Sequence, residues 1–194
     1  MHRKTLQAQH RAVEAAVQVY LKTHPVRSEY TDVLQAQTNR LQGSLVLVGY
    51  EKEGGSDPQM ILQAALAIEL FHAYILCMEQ GVATTQALRT AHEAEIILAN
   101  LDTDPENRLK ALSITNRTLM LATLARRPET SPSDAVHWQA TERALNPLHV
   151  GQVLAGADCQ ATNAVTPQGL ELGALLVQNN AADYEKRVTD IRML

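Results

Sequence analysis

Glu69 and His72 stand three residues apart in the stretch E-L-F-H-A-Y-I-L-C-M-E-Q-G-V-A, residues 69–83. That spacing puts a carboxylate and an imidazole on one face of a helix. Repeated on a second helix and joined by two further glutamates, such a pair holds one iron of a carboxylate-bridged bundle. The other candidates, Glu93 and Glu95 beside His92, and Glu142 with His149, do not repeat Glu-x-x-His. The plain alternative makes His72 a core or cavity histidine. Asp102-x-Asp104-Pro-Glu106 offers oxygen ligands for a divalent cation. Against that stands a simpler role, capping the next helix, whose positive N-terminal end suits acidic side chains. The chain has no phosphate-cradling glycine loop, no Gly-x-Ser-x-Gly and no arrangement that singles out a nucleophile with its base. Arg126-Arg127-Pro128 reads as a solvated helix end.

These residues need elements to position them, and the periodicity is helical throughout. Leu6, Val13, Val17, Tyr20 and Leu21 recur mostly every three or four residues, which predicts a helix over 3–23, ended by His24-Pro25. A second helix is expected from Ser28 to Arg40 and a third from Leu41 to Glu53. Within the third, L-V-L-V-G-Y taken alone is also compatible with a strand, but Gly54-Gly55 closes it without a hairpin partner. Ser56-Asp57-Pro58 combines a capping side chain with a proline at an early helical position, and starts a long apolar helix to Gln80. Further helices are expected over 84–101, 105–127, 133–145, 147–158, 167–178 and 181–194. With no sustained alternation and no fixed-period repeat, the fold class is all-α, in one helical-bundle domain over 1–194.

Composition narrows the functional classes. The chain has 194 residues, 45% of them hydrophobic and 20% charged, which suits a folded globular protein. A net charge of −4 gives no broad attraction to nucleic acid or anionic lipid. Aromatic residues make up only 4%, so Leu, Ala, Val and Ile must fill the core. Cys77 and Cys159 lie outside any metal or redox spacing, which fits unpaired buried thiols in a reducing compartment. The N-terminus is polar, and no later segment reaches the roughly 18 uninterrupted apolar residues of a membrane span, so a cytoplasmic location is expected.

Four blocks occur together in one order. They are N-R-L-Q-G-S-L-V-L-V-G-Y-E-K-E-G-G (39–55), A-L-A-I-E-L-F-H-A-Y-I-L (65–76), L-H-V-G-Q-V-L (148–154) and G-L-E-L-G-A-L-L (169–176). This set resembles the trans-polyprenyl diphosphate synthases, whose pattern runs G-K-R-L-R-P-x-L, then E-L-x-H-x-x-S-L-x-H-D-D-x-x-D, then G-Q-x-x-D and P-L-x-L-G-A-L-L. The resemblance covers residues 30–178. It implies an all-helical isoprenoid synthase fold around a deep cavity, a dimer or other homo- or hetero-oligomer formed through apolar helices, and an isoprenoid ligand. It also implies condensation of an allylic diphosphate with isopentenyl diphosphate, with two aspartate-rich motifs holding Mg²⁺.

The positions that would carry that chemistry are exchanged. Glu79, Gln80 and Ala83 fall where the resemblance places three aspartates, and Asn39 and Gln42 replace the lysine and the second arginine of K-R-L-R, leaving Arg40. Thr85 and Gln86 stand near the place of paired arginines, Gln160 or Ala161 at a lysine, and Ala155 at the aspartate after Gly151-Gln152. The second aspartate-rich motif is not reproduced by the isolated Asp183 and Asp190, so the resemblance is shortened at the C-terminus. One glutamate, an amide and a methyl do not supply the hard anionic oxygens that Mg²⁺ requires.

A scaffold kept while its charged site is emptied points to a protein without independent prenyl transfer: a pseudoenzyme, an inactivated variant or a partner subunit, with no cofactor of its own. Residual ligand contacts are then expected at Arg40, Glu79, His92 and Gln152. Two rivals stay open at this stage. One is a divergent active prenyltransferase using Mg²⁺ on Glu79, Glu93, Glu95 or Asp158. The other is the carboxylate–histidine metal bundle around Glu69 and His72.

Overall fold

A computed structural model describes residues 2–24, 29–36, 40–79, 81, 85–124 and 146–157. The described residues form seven helices and contain no strand. They are α1 (His2–Thr23), α2 (Glu29–Ala36), α3 (Leu41–Lys52), α4 (Pro58–Glu79), α5 (Thr85–Ala99), α6 (Pro105–Leu124) and α7 (146–154). The helices expected over 133–145, 167–178 and 181–194 lie outside the described residues, as do Arg126, Arg127 and Cys159.

The most apolar helix becomes the axis of the bundle. α4 packs against α1, α2, α3, α5 and α6. Its face residues Ala64, Ala65, Ala67, Leu70 and Ala73 are fully buried. Small alanines let neighbouring helices approach closely on several sides, a geometry that a helix with large side chains all round would not permit. The segment Pro58–Met78 has a mean hydropathy of 1.8 and meets the length and composition of a membrane span, although Gln63, Glu69 and His72 interrupt it. Those polar residues leave no run of 18 uninterrupted apolar residues, as expected from the sequence. Other helices of the fold cover this one, with 67% of it buried.

Capping acts as the residue types dictate. Asp57 Oδ1 accepts the backbone N–H groups of Gln59 and Met60, both at 2.9 Å, at the start of α4. Asp104 Oδ1 accepts those of Glu106 and Asn107 at 2.8 and 3.3 Å at the start of α6, so this acidic run works as a helix cap. The segment L-V-L-V-G-Y is helical, and every residue from Gln42 to Tyr50 is buried. A helix buried on all faces has no apolar stripe, which is why its periodicity is ambiguous in the sequence. Two glycines make this burial possible. A Cβ on Gly49 would collide with the carbonyl oxygen of Leu148, and one on Gly151 with that of Val46, so α3 and α7 cross with their backbones in contact.

The second helix is described over Glu29–Ala36. Arg40, expected to close it, is not helical: it sits in the left-handed region at φ 40°, ψ 38°, just before α3. Such a backbone is unusual for a residue with a side chain and needs surrounding contacts to hold it.

Candidate functional site

Those contacts come from three helices. Arg40 is 1% exposed. Its Nε donates to Glu14 Oε2 of α1 at 2.5 Å, and one terminal nitrogen donates to the carbonyl of Leu34 in α2 at 2.8 Å. The same terminal nitrogen lies 3.9 Å from Glu69 Oε2 of α4. Glu69 Oε1 in turn accepts the backbone N–H of Gly43 at 2.7 Å. The guanidinium expected to meet a ligand is thus held inside the fold by two carboxylates and a carbonyl.

The environments of the two carboxylates differ. Burial raises Glu69 from its ordinary 4.5 to about 6, while the Gly43 N–H and Arg40 pull in the opposite direction. Burial also works against the charged form of Glu14, but hydrogen bonds from Arg40 and Gln18 outweigh it and hold that carboxyl below its usual value. Glu14 was not singled out in the sequence, where it is one acidic residue beside the apolar stripe of α1.

On another side of α4, His72 lines a small cavity with Gln42, Ile68, Phe71, Thr115 and Val150, where α3, α4, α6 and α7 meet. Its volume is about 30 Å³, room for about two water molecules. No lysine or arginine is among its described lining residues. Gln42, at the position that the resemblance gives to an arginine, presents a neutral amide there. Glu69 is engaged by Gly43 and Arg40, while His72 lines the cavity, whose described lining does not include Glu69. Among the described residues no group of three or more His, Cys, Asp or Glu is placed to hold a metal ion.

Glu79 is the last residue of α4. Two residues on, Gly81 has φ 73° and donates its N–H to the carbonyl of Met78 at 3.2 Å, which terminates the helix. Carboxylates at the first and fifth positions of an aspartate-rich motif share one helical face only if the helix continues through them. Here it stops in between. Gln80, Ala83, Gln160 and Ala161 lie outside the described residues.

The remaining expected residues are separated from this region and from one another. His92 is exposed on α5, its Nδ1 3.1 Å from Glu95 Oε2. Gln152 on α7 donates from Nε2 to Glu53 Oε1 at 2.9 Å, just beyond α3. Glu93 accepts the Tyr20 hydroxyl at 2.5 Å on one oxygen and pairs with Arg89 at 3.3 Å on the other. Cys77 is fully buried. The four residues expected at one ligand are thus distributed over the α1–α4 core, the end of α4, the surface of α5 and the α3–α7 edge.

By sequence, the chain matches no protein-family model and no curated protein. By structure it is similar to a chain of a deletion mutant of the mint heterotetrameric geranyl pyrophosphate synthase, solved in complex with ligands. The TM-score is 0.62 at 19% identity, over 89% of this chain and 84% of that one. The fold is that of an isoprenoid synthase. The isoprenoid synthase fold accounts for the central apolar helix and the emphasis on helix-to-helix packing. At this identity it fixes the architecture alone.

Proposed function

We propose that this protein is a prenyl-diphosphate-synthase-like helical subunit that performs no prenyl transfer by itself and acts within an oligomer, with a second copy or with a catalytic relative in the cytoplasm. The observation that carries the reading is the cavity between α3, α4, α6 and α7. It holds about 30 Å³, against the roughly 300–1,000 Å³ of ordinary ligand sites, and its described walls carry no cation. A diphosphate has several negative charges and needs cations fixed around it. At the wall of this cavity Gln42 offers an amide, and the nearby Arg40 is already neutralised by Glu14 and Glu69.

Three further observations support the same reading. α4 has ended by Gly81, short of the span that would present a row of carboxylates to Mg²⁺. The described donor set does not fit that ion, which favours a near-octahedral shell of hard oxygens. The mint synthase of like fold is a heterotetramer, an assembly in which unlike chains combine.

The test is incubation of the purified protein with Mg²⁺, an allylic diphosphate and isopentenyl diphosphate. No longer-chain product is expected. Turnover that disappears in Glu79→Ala would overturn the reading.

A further inference from the structure

A second hollow lies on the opposite side of α4 from the small cavity. It is a groove of about 890 Å³ between α1 and α5, floored by Leu62 and Leu66 of α4. That volume falls within the range of small-molecule sites. Its walls are mainly apolar, with Thr23, Gln59, Gln63 and Asn100 among the lining residues. Ala12, Ala16 and Val19 come from α1, and Ile96 and Ile97 from α5. Val19 and Ile96 are 60% and 48% exposed, so the groove presents aliphatic surface to solvent at both rims.

The polar groups in it have a definite character. Tyr20 and Glu93 join the two walls by a hydrogen bond, and His24 stacks on the Tyr20 ring with centroids 4.4 Å apart. Burial and the adjacent Glu93 carboxylate push the Tyr20 phenol well above its usual range, so it remains a donor to Glu93 at all ordinary pH values. A carboxylate has about four lone-pair sites. Tyr20 and Arg89 occupy one on each oxygen, so acceptor capacity is left over. The described lining contains no lysine or arginine. Arg89 itself is 70% exposed and engaged with Glu93.

We propose that this groove is a binding site for an amphiphile with an apolar body and a hydrogen-bond-donating, uncharged or cationic head, the head seated at Glu93 beside Tyr20. The assignment is independent of the reading proposed for the protein as a whole, because the groove and the small cavity share no lining residue and differ in charge pattern. A phosphate, diphosphate or carboxylate head would meet the Glu93 carboxylate with no lysine or arginine in the described lining to offset it, and is disfavoured. An ammonium or hydroxyl head donates to Glu93, while the tail covers Leu62, Leu66 and Ile97.

The test uses three probes with one ten-carbon tail, decylamine, decanol and decanoate, titrated calorimetrically into the full chain below their micelle concentrations. Decylamine and decanol should bind saturably, and decanoate at least about tenfold more weakly than decylamine. Glu93→Gln should abolish the preference for the amine over the carboxylate. Ala16→Trp, which fills the groove, should weaken every probe at least about tenfold. Gln63→Trp at the exposed rim serves the same purpose if Ala16→Trp does not fold. The proposal is overturned if no probe binds saturably, if decanoate binds as tightly as decylamine, or if the folded tryptophan variant binds like the parent protein.

Discussion

Replacing Glu69 with glutamine should stabilise the protein at neutral pH. The carboxyl group is 1% exposed, and burial raises it from 4.5 to about 6. Each unit of pKa corresponds to about 1.36 kcal/mol, so keeping Glu69 ionised inside the fold costs about 2 kcal/mol. In the unfolded chain the group loses its proton near 4.5, while in the folded chain it keeps it to about 6. Between those values the folded state binds more protons, so stability falls as pH rises. The cost is absent below pH 4.5 and complete above pH 6. Glutamine retains the oxygen that accepts the Gly43 N–H and leaves Arg40 its bonds to Glu14 and Leu34. It therefore mimics the protonated acid at every pH. Urea and thermal unfolding followed by circular dichroism should give a gain of about 2 kcal/mol at pH 7.5, or roughly 4–8 °C in Tm for a chain of this size. The gain should vanish at pH 4. If the Arg40–Glu69 contact were net stabilising, removing one partner of a buried pair would instead cost about 3–5 kcal/mol, and that outcome would refute the reasoning.

Asp57→Ala should lower stability by about 1 kcal/mol in the same unfolding assay, because two N–H groups at the start of α4 lose their acceptor. Gly49→Ala should cost about 3 kcal/mol or more, since its Cβ would meet the backbone of Leu148 and force α3 and α7 apart. An unfolding midpoint equal to that of the parent protein would show that this crossing is not tight. Gln9 is 5% exposed, and among the described residues neither its amide oxygen nor its nitrogen has a hydrogen-bond partner. Gln9→Met should therefore stabilise by about 1 kcal/mol, and a loss of stability would point to a partner for that amide.

The parts of this architecture legible in the sequence are those that local physics decides. Asp57-Pro58 and Asp104-Pro105 mark helix starts because a capping side chain next to a proline allows little else. The stripe in α1 and the apolar length of α4 reveal their roles for similar reasons. The α3 segment is harder, because a helix enclosed on all sides carries no periodic signal. Arg40 reads as the end of a helix, and nothing local announces its left-handed backbone; the Glu14, Leu34 and Glu69 contacts that hold it come from three other helices. Gly81 is a visible signal for the end of α4, and it sits inside the very motif where continuity matters. The groove is not legible at all, because Tyr20 and Glu93 lie 73 residues apart and meet only after α4 has brought α1 and α5 to its two sides.

The central claim is that the space between α3, α4, α6 and α7 no longer accepts a metal-bound diphosphate. Calorimetric titration of inorganic pyrophosphate into the protein, with and without Mg²⁺, tests it most directly. No saturable binding is expected in either condition. Saturable binding that requires Mg²⁺ and weakens in Glu79→Ala or Gln42→Leu would contradict the account.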